Sequence, residues 1–160
     1  MDDIDRALLM QLQLDAGQST ERLARAVGVS KTAAWNRVQR LQVAGVIRKQ
    51  VVILDAEKVG LKETFFISIK TNQHNEQWLI KFDEVVNRYA QIVEAHRLSG
   101  EIDYLLKVQV SSTREFDSLY KKIVADVDLY SVTSNLSMQV LKQNSPLPLS
   151  REPVQPEASS

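Results

Sequence analysis

The chain contains no cysteine and only two histidines, His74 and His96. Without thiols there is no disulfide framework, no cysteine-based zinc site and no thiol nucleophile. The two imidazoles lack the HxxxH or HxH spacing that metal sites favour, so no metal or cofactor is expected. Glycine is scarce as well: the five glycines, at positions 17, 28, 45, 60 and 100, lie too far apart for a GxGxxG or Walker-type phosphate cradle. Proline is missing until Pro146, and all four prolines fall in the last fifteen residues. Residues 1–145 therefore read as continuous secondary structure, and the tail over 145–160 as disordered. No apolar run approaches the ~18 residues of a membrane span. The opening Met-Asp-Asp-Ile-Asp-Arg is acidic where a secretory signal would be basic and then apolar, which predicts a cytoplasmic protein with no membrane partner. Glu101 and Asp103 sit together at a turn without a nearby His or Lys base, so no catalytic residue and no enzyme is expected.

What is present is a balanced chain of 160 residues with 20 basic and 20 acidic side chains. A chain of this size buries one modest core or two small ones, and units that small commonly lean on a partner subunit. The neutral average conceals a local imbalance. Between Thr20 and Gln50 the charged residues are Arg22, Arg25, Lys31, Arg37, Arg40, Arg48 and Lys49 against Glu21 alone, seven to one.

That basic segment lies in a run of three helices. Ile4, Ala7, Leu8 and Leu12 form the apolar stripe of a first helix, which Gly17 should end. Ser19 caps a second, with Leu23, Ala24 and Val27 inward and Gly28 at its end. Only Gly28, Val29 and Ser30 precede the third helix, Lys31 to Ala44, which buries Ala34, Val38 and Leu41 and stops at Gly45. This is a helix-turn-helix signature. The outer face of the third helix carries Lys31, Thr32, Trp35, Asn36 and Gln39, flanked by Arg37 and Arg40. A purely structural helix would mix acids and bases on such a face. Donors without acids suit phosphate oxygens, and Asn and Gln make bidentate contacts to adenine. Duplex DNA is thus the expected partner, with Ser30, Lys31, Thr32, Trp35, Asn36, Arg37, Gln39 and Arg40 as the candidate interface. Trp35 fits either a place against DNA or a cover for the first helix.

Beyond Gly45, Val51–Leu54 read as a short β run that leads into a helical turn at Asp55–Gly60. Phe65, Ile67 and Ile69 then alternate as a strand, and Trp78, Phe82, Val85 and Tyr89 take helical spacing. A strand follows over about Gln91–Ser99. After the Gly100-Glu101 turn, Ile102, Tyr104, Leu106, Val108 and Val110 alternate on one face. Phe116 to Val127 forms another amphipathic helix, and Val132 to Leu141 a last strand. The expectation is an α+β chain: a winged-type helix-turn-helix over 1–50, a β linker over 51–62, and a ferredoxin-like βαββαβ domain over 63–144. A four-stranded sheet with one uncovered face predicts dimerisation through this domain.

Several stretches carry a family resemblance: Ile4-Asp5-Arg6, Leu23-Ala24 with Val27-Gly28-Val29-Ser30, Arg37-Val38-Gln39-Arg40-Leu41, Gly45-Val46-Ile47, and above all Ser99-Gly100-Glu101-Ile102-Asp103-Tyr104-Leu105-Leu106-Lys107-Val108. In this order they resemble the leucine- and asparagine-responsive (Lrp/AsnC) transcription regulators of bacteria and archaea, over about Asp3 to Leu149. The resemblance implies a nucleoid-associated DNA-binding regulator, built from dimers that assemble as a tetramer of dimers, an octamer. It also implies a free amino acid bound between dimers. Carried over, the effector residues are Leu98, Ser99, Gly100, Glu101, Asp103 and Tyr104, with Thr133, Ser134 and Asn135 from a neighbouring subunit. Asp103 would pair with the effector's α-ammonium, Gly100 would let backbone approach, and Thr133–Asn135 would meet its carboxylate or side chain. Two departures stand out: Lys31 where the family often has Pro after the capping serine, and Val127-Asp128 where it often has Pro-Gly. Trp35, the Trp78 region and Leu147-Pro148-Leu149 look like the cysteine-responsive desulfidase-regulator branch. Two rival functions remain at this point, an architectural DNA-binding protein and a small-molecule sensor that does not bind DNA.

Overall fold

The computed structural model describes residues 1–73 and 75–149. The chain divides into two units, one of Met1–Val52 with the described residues from Lys142 on, the other of Ile53–Leu141.

The first unit holds α1 (Asp3–Leu14), α2 (Thr20–Val27) and α3 (Lys31–Val43). Each begins at a side-chain cap, because the first N–H groups of a helix have no partner within it. Asp2 caps α1 through the Asp5 N–H at 2.8 Å, and the Asp5 carboxylate in turn accepts from the Asp2 N–H at 3.1 Å, a reciprocal capping box. Ser19 and Ser30 cap α2 and α3 through the N–H groups of Arg22 and Ala33. The tight turn between α2 and α3 requires Gly28 at φ 72°, which a side chain would strain. Leu8, Leu23, Ala24, Ala34 and Val38 form a small core, closed from the side by Ile4, Leu12, Val27, Val29 and Ile47.

Three expectations shift in or beside this unit. The first helix stops at Leu14, short of Gly17, because Asp15 leaves the helical conformation and its carboxylate accepts the Gly17 N–H at 2.9 Å. Val51, Val52, Ile53 and Leu54 belong to no strand; they are exposed and have no partner strand among the described residues, where neither a wing nor a β linker forms as paired structure. The described part of the expected disordered tail is held against α1. There the Gln13 side-chain oxygen accepts the Leu147 N–H at 2.6 Å, its amide donates to the Leu147 carbonyl at 3.3 Å, and Arg6 donates to the Leu149 carbonyl at 3.3 Å. The rest of that tail, and His74, lie outside the described residues.

The second unit runs β1 (Glu63–Lys70), α4 (Glu76–Arg88), β2 (Ile92–Arg97), β3 (Tyr104–Val110), α5 (Thr113–Asp126) and β4 (Ser131–Leu136), the expected βαββαβ order. The strands form one antiparallel sheet ordered β2-β3-β1-β4. Its alternation explains its core: Phe65, Ile67, Ile69, Tyr104, Leu106, Val108 and Val110 all point to one face, where they meet Trp78, Phe82 and Val85 of α4 and Phe116, Leu119 and Ile123 of α5. Each such fully buried side chain contributes about 2 kcal/mol of burial. Phe65 stacks on Phe116 with ring centroids 3.7 Å apart, and the Trp78 indole donates to the Asp128 carbonyl at 2.7 Å, so its polar edge is satisfied. The last strand ends at Leu136 instead of Leu141. Its partner β1 begins at Glu63, and after the Ser137 N–H has bonded the Thr64 carbonyl at 2.8 Å no ladder remains to extend. Met138 and Leu141 are each 88% exposed as a result.

Candidate DNA-binding and effector surfaces

The exposed side of α3 is Lys31, Thr32, Trp35, Asn36, Arg40 and Val43, with Gln39 half-buried among them. Trp35 is 53% exposed, so it is a surface residue of this helix and not a cover for α1. Ser30 acts as the cap, with its hydroxyl committed to the Ala33 N–H at 3.2 Å.

Arg37 and Arg40, expected to flank the DNA surface, are both paired with acids of α1 and its cap. Asp5 is 1% exposed, and its carboxylate accepts from Arg37 Nη1 at 2.8 Å and from Arg40 Nη2 at 2.9 and 2.8 Å. Arg37 Nη1 also reaches the Asp2 carboxylate at 2.6 Å. Two carboxylates of α1 and its cap thus neutralise two guanidiniums of α3. The Arg37 hydrogen bond and the Asp5 N–H together hold the Asp2 carboxyl down at about 2, from an ordinary 3.8. For Asp5, burial would raise the value, but the Arg37 hydrogen bond, the Asp2 N–H and the Arg40 charge outweigh it and leave it lowered. Sequence reasoning missed both acids as site residues. Their signal was the Asp-x-x-Asp spacing ahead of an apolar stripe, which marks a capping box.

Among the described residues, the positive charge between Thr20 and Gln50 that has no close acid is then carried by Arg22 on α2, Lys31 at the start of α3, and Arg48 and Lys49 beyond it; Arg25 lies 3.9 Å from Glu21, an exposed and weak pair.

The predicted effector residues divide into two groups. Leu98 to Asp103 form the β2–β3 turn, and Tyr104 opens β3. Gly100 there has φ 145°, a backbone that disfavours side chains, and open space where a Cβ would be. The Asp103 carboxylate accepts the Thr71 N–H at 2.8 Å, while its own N–H and carbonyl bond Ile69 and Leu98. Glu101 pairs with Lys70 at 2.8 Å, which lowers its carboxyl. Tyr104 is buried at 8% exposure and packs on Phe82 and Trp78, so its ring belongs to the core. Thr133, Ser134 and Asn135 lie on β4 and are exposed. β1 separates β4 from β3, Ser134 shares a register position with core-facing Ile67, and Thr133 and Asn135 pair with Ser68 and Phe66 on the face that the helices leave open. Within one chain the two groups share no hydrogen bond.

Two family models match the chain: an AsnC-type helix-turn-helix domain over residues 1–42, and an Lrp/AsnC ligand binding domain over residues 64–147. The chain belongs to the Lrp/AsnC family of transcriptional regulators. It is 42% identical over 149 residues to the glutamate uptake regulatory protein of Zymomonas mobilis, covering 93% of this chain and 91% of that one. It is 39% identical over 150 residues to the DNA-binding transcriptional activator DecR of Escherichia coli, covering 93% and 99%. The crystal structure of an AsnC family transcriptional regulator from Agrobacterium tumefaciens superposes with TM-score 0.89 at 41% identity, covering 93% of this chain and 97% of that one. A Neisseria meningitidis transcriptional regulator in complex with L-Met shares the fold, with TM-score 0.88 at 23% identity, covering 93% and 97%. The chain is accordingly a DNA-binding transcriptional regulator and not an enzyme. The relatives near 40% identity carry different names, so the desulfidase-regulator branch does not follow from them. No helix among the described residues is long and apolar enough to cross a membrane.

Proposed function

We propose that this regulator binds defined operator sequences as a dimer and that a free amino acid modulates its DNA affinity or assembly. The observation that carries the reading is the union of an acid-free, Ser30-capped α3 with a domain of the family's ligand-binding type. The two α3 helices of a dimer would enter successive major grooves about 34–36 Å apart. Lys31 would meet phosphate, and Thr32, Trp35, Asn36 and Gln39 would read base edges.

The effector would sit between dimers, where the Leu98–Asp103 turn of one chain meets Thr133–Asn135 of another, since one chain alone keeps the two sets apart. Asp103 would supply the negative charge for an α-ammonium and Gly100 the close approach. Tyr104 would contribute as a floor from the core. Dimers would form through the open sheet face and assemble further as an octamer, at work on the nucleoid of a bacterial or archaeal cytoplasm. An effector shifts DNA affinity only as far as it prefers one arrangement of these copies over another.

The test is an anisotropy titration of the full chain against its own upstream promoter duplex with excess random DNA, with and without cysteine, leucine, methionine and glutamate. Retained binding that one amino acid alters supports the reading. Binding without preference over random DNA would replace it with an architectural role, and amino-acid binding without DNA binding with a pure sensor.

A further inference from the structure

The recognition helix carries two arginines, yet both are tied down from behind. Arg37 is 26% exposed and its Nη1 lies 2.6 Å from Asp2 and 2.8 Å from Asp5; Arg40, 62% exposed, directs its Nη2 onto both oxygens of Asp5. Along α3 these two residues occupy the flank toward α1, whose first turn supplies Asp5. Thr32, Asn36, Gln39 and Val43 lie on the side opposite the buried Ala34, Val38 and Leu41, and Trp35 lies on the other flank. Val43 is 89% exposed and Trp35 53%, so both apolar side chains are open to a partner.

We propose that Asp5 is a positioning residue that withholds Arg37 and Arg40 from DNA, so that α3 reads its operator through a neutral face of Thr32, Trp35, Asn36 and Gln39. The chemistry follows from what each group offers. Arginine in the groove favours guanine through its O6 and N7 acceptors, whereas Asn and Gln pair with adenine N6 and N7, and apolar side chains meet the thymine methyl. With the arginines bound to Asp5, the second set decides, and the preferred contacts under α3 are A·T pairs whose thymine methyls touch Trp35 and the Thr32 methyl. Phosphate attraction then comes from Arg22, Lys31, Arg48 and Lys49, outside the neutral cluster. A mobile Arg40 would undo this by competing for guanine. Holding that side chain to a buried carboxylate removes the competitor and also fixes the rotation of α3 on α1.

This inference rests on the operator-binding reading, and its test distinguishes the two. The full chain is first used to select bound duplexes from a randomised library; failure to enrich any sequence would sink the regulator reading and this inference with it. The enriched duplex is then remade with uracil in place of thymine, which deletes the C5 methyls and leaves base pairing intact. Binding should weaken about fourfold for each methyl in contact, and Trp35→Ala should lose most of that sensitivity. Enrichment followed by indifference to uracil keeps the regulator and overturns the neutral face.

The arginines are read separately from the dependence of affinity on salt. A phosphate-bound cation contributes about 0.9 to the slope of log affinity against log salt. The charge-balanced pair Asp5→Asn with Arg40→Gln should leave the slope unchanged, while Asp5→Asn alone, which releases a guanidinium, should steepen it by up to about one. A slope that falls by about one in the balanced pair would show Arg40 on phosphate and overturn the withholding role. If these variants do not keep the native circular-dichroism spectrum, the uracil measurement on the unaltered protein decides.

Discussion

The two units hold themselves together by different means. The βαββαβ unit buries fourteen apolar side chains in one cluster between sheet and helices. The corresponding cluster of the helical unit has five among the described residues, two of them alanines, and the unit adds a buried carboxylate with two guanidiniums across α1 and α3. An apolar layer is strong and forgiving of direction, because burial has no preferred angle. A charged hydrogen-bond network is weaker in net terms but directional, and it fails when one partner is removed. The unit that must present a helix at a set rotation uses the directional device. The unit whose open sheet face would serve other copies in the proposed assembly uses the layer.

Substitutions can break that contrast, the largest effect lying in the layer. Leu106 is fully buried in the inner strand β3, and Leu106→Ala should cost about 2–5 kcal/mol through the cavity it leaves. Urea unfolding of the chain would read that loss, and a cost below about 1 kcal/mol would mean that the sheet core collapses onto the gap. In the helical unit, Asp5→Ala takes from the partly buried Arg37 one of its two acids, for an expected cost of about 1–3 kcal/mol, together with a fall in the preference for operator over random DNA larger than the fall in stability explains. Equal losses of both would reduce Asp5 to ordinary packing. Ser30→Ala removes the N-cap of α3 and should cost about 1 kcal/mol, against a few tenths for Ser30→Gly.

The smallest effect is in acid. Asp2 titrates near 2 when folded against an ordinary 3.8, and Asp5 is lowered too. A carboxyl lowered on folding stabilises above its unfolded value, and that contribution disappears as pH falls through the folded one. The urea midpoint should therefore drop between about pH 4 and pH 2, and Asp2→Asn should flatten the drop. An unchanged profile in that variant would show that Asp2 is not coupled to Arg37 in solution.

Much of the fold was legible because period and punctuation agree. The alternation from Tyr104 to Val110 is the inner strand β3, the spacing of Trp78, Phe82 and Val85 is the buried stripe of α4, and Ser30 after Gly28 starts α3 where the turn chemistry requires. Misread segments were those whose local preference lacks a partner. Val51–Leu54 has strand composition but no strand beside it, and Met138–Leu141 continues an apolar alternation past the end of β1. β propensity reflects fit to a paired, half-buried surface, so composition alone cannot supply the neighbour. In the candidate DNA surface the sequence identified which residues α3 exposes but not that Arg37 and Arg40 pair with Asp2 and Asp5, because those partners lie more than thirty positions away. The β2–β3 turn, the candidate effector turn, was recognisable as a turn from its residues. That Asp103 already accepts the Thr71 N–H, and that Tyr104 faces the core, required the folded sheet.

The claim that one unit reads DNA and the other an amino acid is tested most directly by their reciprocity. The amino acid that alters operator binding is titrated calorimetrically into the full chain, once free and once bound to the enriched duplex. Coupling requires the amino-acid affinity to change by the same factor, and in the same direction, as the operator affinity changes with the amino acid. Identical amino-acid affinities in the two titrations would contradict an effector-controlled regulator.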